Sequence, residues 1–210
     1  AVTVEADPDP STFGQSAGFH SQVSPIAPGG GEPSGAVSFL VDGSLFGNPV
    51  PRREGRADSE QVVNLPAGPH ALLARYGGDA SFRENQAGTT QVVDRALTTG
   101  TLTPSSQNAP EGTPVTFELD LGAAGVSSTP SGSARMYIDG DAHGPPVVVT
   151  GGKAGFGPVA FTAGSHQVRV QYTGSSNFSP IDTFLTATAT RLPPPFGPDV
   201  TPGAPGRNPL

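Results

Sequence analysis

Gly14-Gln15-Ser16-Ala17-Gly18 spells G-x-S-x-G, the spacing of a serine nucleophile elbow. That spacing supports acyl chemistry only when the serine sits on a strained strand-to-helix turn with a histidine and an acid in reach. Here it runs into residues that alternate as a strand, and no helical period follows. A second copy of the same stretch carries Pro114 where Ser16 stands. The segment reads as a turn, and the chain as a non-enzyme with no catalytic residue.

The other candidates are four histidines and a set of turn carboxylates. His70 and His166 each follow an Ala-Gly-x turn at the start of an alternating run, so each is expected to bond turn backbone groups rather than a metal. His20 and His143 stand in unmatched contexts, and no H-x-H or H-x3-H pair offers zinc two ligands from one element. Asp42, Asp79 and Asp139 lie in turns and Asp94 lies near mid-chain, without the dense D-x-D-x-D array of a dedicated calcium loop. Asp-Gly is what a tight turn needs for positive φ. With no cysteine there is no disulfide, thiolate or Cys-zinc site. No cofactor, metal or small-molecule substrate is expected.

Carbohydrate sites favour flat aromatic faces, above all Trp, and this chain has no Trp and three Tyr. Tyr76 and Tyr172 fall on inward faces at matched positions. Tyr137, with Leu40 at the same place in the other copy, falls on the outward face. These two mark either a packing surface or a spot covered by a loop or neighbouring strand.

The frame that must hold these residues is set by composition. Of 210 residues 34% are hydrophobic and 14% charged, and Gly (29) and Pro (24) are abundant. That supply cannot fill one deep core but suits thin sandwiches of short strands and many turns. The net charge of −7 argues against nucleic acid or an anionic membrane as partner. The single basic cluster, Arg52, Arg53 and Arg56, is broken by Glu54 and reads as a solvated loop. No apolar run is long enough to span a membrane. The chain opens at Ala1 on the strand-like Val2-Thr3-Val4. Removal of a secretory leader, excision from a longer protein, or loss of an initiator Met from a small complete one would each leave that start.

An internal repeat then fixes the organisation. Pro33-Ser34-Gly35 returns as Pro130-Ser131-Gly132, Asp42-Gly43 as Asp139-Gly140, Ala67-Gly68-Pro69-His70 as Ala163-Gly164-Ser165-His166, and Tyr76–Phe82 as Tyr172–Phe178. The order is kept and the offset is nearly constant, at a length that suits a whole sandwich. Between these marks the residues alternate with period two. Inward sets are Ala17, Phe19, Ser21 and Val23 against Val115, Phe117, Leu119 and Leu121. Next come Val37, Phe39 and Val41 against Ala134, Met136 and Ile138, and then Leu72, Ala74 and Tyr76 against Val168, Val170 and Tyr172. Thr116, Glu118, Asp120, Gln167, Arg169 and Gln171 face outward. The expected fold is all-β: two tandem immunoglobulin-like β-sandwiches, 1–95 and 96–190, then a Pro/Gly-rich extended tail, 191–210. The junction near Asp94–Thr98 holds no Gly/Pro/Ser run, which predicts a stiff tandem.

On these residues the chain resembles the bacterial Ig-like repeat domains of surface and secreted proteins. The first copy carries the likeness most fully, in Pro8-Asp9-Pro10-Ser11-Thr12-Phe13-Gly14-Gln15, Leu65-Pro66-Ala67-Gly68 and Gly78-Asp79-Ala80-Ser81-Phe82. The second departs at Glu111-Gly112-Thr113, at Ser175, and in a reshaped loop over 122–129. The resemblance implies a non-catalytic spacer or adhesive module with protein partners, extracellular or at the bacterial cell surface. An alternative keeps the same fold as a small structural protein decorating a virus capsid or filament, anchored by its tail. The expected interaction surface comprises Leu40, Tyr137 and the tail residues Pro193, Pro194, Pro195 and Phe196.

Overall fold

The computed structural model describes residues 1–62 and 65–193. The tail candidates Pro194, Pro195 and Phe196 therefore lie outside the described residues, while Pro193 is exposed just beyond the last strand. Among the described residues there is no helix, and so none long and apolar enough to cross a membrane.

The first half holds β1 (Val2–Asp7), β2 (Ser11–Thr12), β3 (Gly18–Val23), β4 (Ala36–Val41), β5 (Ser44–Pro51), β6 (Arg56–Asp58), β7 (Gly68–Tyr76) and β8 (Asn85–Asp94). The second holds β9 (Thr98–Pro104), β10 (Asn108–Pro110), β11 (Pro114–Ala123), β12 (Gly132–Ile138), β13 (Asp141–Val149), β14 (Lys153–Ala160), β15 (Gly164–Tyr172) and β16 (Ile181–Thr190). Each half forms a three-stranded and a five-stranded sheet. The orders are β1-β3-β6 with β2-β8-β7-β4-β5, and β9-β11-β14 with β10-β16-β15-β12-β13. Strand for strand these are the same topology, so the sequence repeat is a structural one.

Local chemistry explains the matched details. Asp42-Gly43 and Asp139-Gly140 all take positive φ and close two-residue hairpins, the geometry that matches strand twist. A bulge interrupts the following pairing at the same place in each copy, between Val37 and Phe39 and between Ala134 and Met136. The inward faces expected from alternation are buried, with Phe19, Phe39, Phe117, Leu119 and Met136 among the most enclosed. Val41 and Ile138, at the strand ends, are only half-buried. Each enclosed Phe or Leu contributes roughly 1.5–3 kcal/mol of burial. The Tyr76 hydroxyl donates to the Ser34 carbonyl and the Tyr172 hydroxyl to the Ser131 carbonyl, so both tyrosines are core residues with a satisfied polar tip.

Two expectations change. Arg52 is not part of a solvated loop: its guanidinium turns in to donate to the Pro33 and Val23 carbonyls, beside the Tyr76 ring. Arg169 and Gln171 lie outward as expected but are half-covered rather than open, Arg169 over the flat Tyr137 ring and Gln171 beside its hydroxyl.

Candidate functional site: turn staples, outer faces and the junction

Ser16 stands on the short turn between β2 and β3, with Ala17 bridged to Val62 and a strand following it. Among the described residues its hydroxyl bonds no histidine or carboxylate, so the geometry an elbow requires is not assembled there.

The matched histidines form two equivalent staples. Asp42 accepts from His70 Nδ1 at 2.7 Å and from the Ala71 N–H at 2.9 Å, while His70 Nε2 lies 2.7 Å from the Pro66 carbonyl. Asp139 accepts from His166 Nδ1 at 2.7 Å and from the Gln167 N–H at 2.8 Å, with His166 Nε2 2.9 Å from the Thr162 carbonyl. Both ring nitrogens thus face acceptors, which only the doubly protonated imidazolium can satisfy. Burial pulls the His70 pKa down, but the hydrogen bonds to Asp42 and Pro66 outweigh it and leave it raised. For His166 the Asp139 bond leads, aided by Thr162, and again raises it. Asp42 and Asp139 are lowered first by those same histidine bonds. Each staple ties the hairpin turn to the turn before β7 or β15. His20 makes a different pair, with Asp58, which Arg56 also grips.

Asp79 organises its loop through a carboxylate that the equivalent loop of the second half lacks. Its carboxylate accepts from the Ser34, Ser81 and Phe82 N–H groups and from the Ser34 and Tyr76 hydroxyls. The Ser34 and Ser81 amides hold it far below the usual carboxylate range. Ser175 replaces it in the second half. No group of three or more His, Asp or Glu gathers among the described residues.

Leu40 and Tyr137 occupy the same register on the outer faces of the five-stranded sheets, both half-buried. Leu40 lies between Leu45 and Leu73 across the strands. Tyr137 lies between Ala142 and Arg169, and Arg169 in turn faces Phe184. The Arg169 guanidinium sits 4.1 Å from the Tyr137 ring centre. The fully open apolar side chains of these rows are Leu45 at 71% and Phe184 at 61% exposure.

Sequence reasoning missed the contact between the halves. Only Arg95-Ala96-Leu97 separates β8 from β9. Ala96 pairs in parallel with Phe178: its N–H donates to the Asn177 carbonyl, and its own carbonyl accepts from the Ser179 N–H. The Asn177 side-chain oxygen accepts from the Ala67 N–H at 2.9 Å. Phe178 meets Phe13 edge-on, centroids 5.5 Å apart. The buried cluster of the second half is therefore continuous with Phe13, Val93 and Ala96 of the first. Leu65 packs against both cores, and the reshaped loop sets Val126 against Gly14. The available signal was Phe13 itself, an aromatic in a turn with no strand face to fill.

Comparison with known proteins agrees with this architecture. The family model for the bacterial Ig-like domain (group 3) matches residues 3–94. No curated protein matches the sequence. Among solved structures, invasin, a bacterial integrin-binding protein, is similar at 16% identity and TM-score 0.56; the match covers 93% of this chain but 40% of invasin. The fibronectin(III)-like modules of Clostridium thermocellum CbhA match at 14% identity and TM-score 0.37, over 91% of this chain and 95% of theirs. The Yersinia pseudotuberculosis adhesin InvE matches at 13% and 0.45, over 89% and 58%. At its identity the invasin match is a likeness of fold.

Proposed function

We propose that this chain, whose first half matches the bacterial Ig-like domain and whose second half repeats its sheet order, is a stiff, non-catalytic spacer of a bacterial extracellular or cell-surface protein. The two domains span 1–95 and 96–190. The observation that carries the reading is the burial of Phe178, 4% exposed, against Phe13, Val93 and Ala96. A flexible linker would leave such a ring in water. Here main-chain bonds and a shared apolar cluster fix one unit on the other, so the pair transmits position and tension over two domain lengths. Protein partners are assigned to the outer rows, Leu45-Leu40-Leu73 and Tyr137-Arg169-Phe184, which combine open apolar area with one cation. The fold shared with invasin, a bacterial integrin-binding protein, supports adhesion to a protein partner.

The alternative, decoration of a capsid or filament, turns on the tail 191–210, of which 194–210 lie outside the described residues, and nothing among the described residues favours it. NMR relaxation of the full chain tests the spacer. The reading expects amides of both halves to share one anisotropic tumbling time; two independent, shorter times would remove it.

A further inference from the structure

The second unit seats the first on a small set of residues, and the first unit carries the same Phe with different neighbours at its own corresponding end. In the repeat Phe82 takes the place of Phe178 and Ser81 that of Asn177. The loop after β3 presents Ile26 as the loop after β11 presents Val126. The two seats differ in cover. Phe178 is buried and Val126 half-buried beneath Phe13 and Gly14, whereas Ile26 is 68% exposed and Phe82 only partly enclosed. Between them lies an open cleft of about 350 Å³ whose floor is apolar, with Val2, Val23, Ile26 and Phe82, and whose rim carries Arg83 and Glu84.

We propose that this end of the first unit is a docking seat for the opposite end of another Ig-like unit of the first type. A Phe in the position of Phe13 would lie on Phe82 and Ile26, and an Ala-Gly turn like Ala67-Gly68 would meet Ser81. The chemistry selects against this chain's own second unit as occupant. There Glu111, whose N–H bonds Thr190 as that of Phe13 bonds Asp94, would bring a carboxylate onto the apolar seat. Phe82 and Ile26 offer that carboxylate no hydrogen-bond donor, so burying it against them is unfavourable. The half-exposed Leu192 would also replace the small, buried Ala96. The seat therefore gives stacking a direction and a preferred neighbour. The inference rests on the stacked reading of the existing junction.

The test ligates unlabelled residues 1–98 ahead of the isotope-labelled full chain, so that Arg95-Ala96-Leu97-Thr98 leads into Ala1-Val2 as it now leads into Thr99-Gly100. The amides of Ile26, Ser81 and Phe82 are expected to shift and to exchange about tenfold more slowly. Phe13→Ser in the added unit alone is expected to reverse both effects. Unchanged spectra, or changes indifferent to Phe13→Ser, would overturn the proposal. Amides of Asn177–Ser179 in the same sample report the existing junction, so failure of the seat is distinguished from failure of the stack.

Discussion

Phe13, in a turn of the first unit, and Phe178, in a loop of the second, meet edge-to-face with centroids 5.5 Å apart and interplanar angle 78°. Aromatic pairs in this arrangement add roughly 0.5–1.5 kcal/mol beyond the area they bury. Phe13 belongs to the second unit's buried cluster although the sequence places it in the first. Phe13→Ala is therefore expected to destabilise the second unit by about 3 kcal/mol, the usual scale for a large-to-small change in a packed site. Urea unfolding followed by amide signals of each unit would show it; a loss confined to the first unit would contradict the shared core.

Gly14 sits at φ +88°, and a Cβ there would come within 2.9 Å of a Val126 methyl. Gly14→Val is expected to open the junction, through both backbone strain and that clash. Adding Val126→Ala should recover the clash component but not the strain. Partial rescue in unfolding midpoint and in tumbling time is the expected outcome. No rescue would place the damage elsewhere.

The histidine staples predict a stability plateau in mildly acidic solution. Raised His70 and His166 pKa values stabilise fully below the unfolded value near 6.5, and that contribution fades as pH rises through the folded values. Lowered Asp42 and Asp139 values stabilise above about 3.8, and theirs fades as pH falls through the folded values. Between those limits both terms are present. His70→Gln and His166→Gln should each cost more at pH 5.5 than at pH 9, measured by urea unfolding across pH. Equal costs at the two values would show neutral imidazoles.

Asp79 should act in its own unit alone. Asp79→Ala is expected to lower the first unit's midpoint and speed amide exchange at Ser34, Ser81 and Phe82. The second unit, built with Ser175, should be unaffected. Because its folded pKa is so far lowered, this contribution should survive to more acidic pH than that of Asp42.

Most of the fold was legible because it is written in local pattern. Alternation placed Phe19, Phe117, Leu72 and Val168 inward, Asp-Gly placed both hairpins, and the repeat gave two units. Tyr137 was read to its correct face, but the Arg169 stack over it depends on cross-strand register, which no single segment states. The junction was illegible for the same reason. Phe13, Val126, Asn177 and Phe178 lie in loops without a period, and their meeting depends on how two finished sandwiches abut. Arg52 misled because a charge-run reading ignores that a guanidinium can satisfy the buried carbonyls of Val23 and Pro33.

Residual dipolar couplings of the full chain, measured before and after Phe178→Ser, test most directly whether Phe178 locks the two sandwiches into one body. One alignment tensor should fit both units in the native chain, and two tensors of different magnitude should be needed in the variant. Two tensors in the native chain, or one that survives the substitution, would contradict the account.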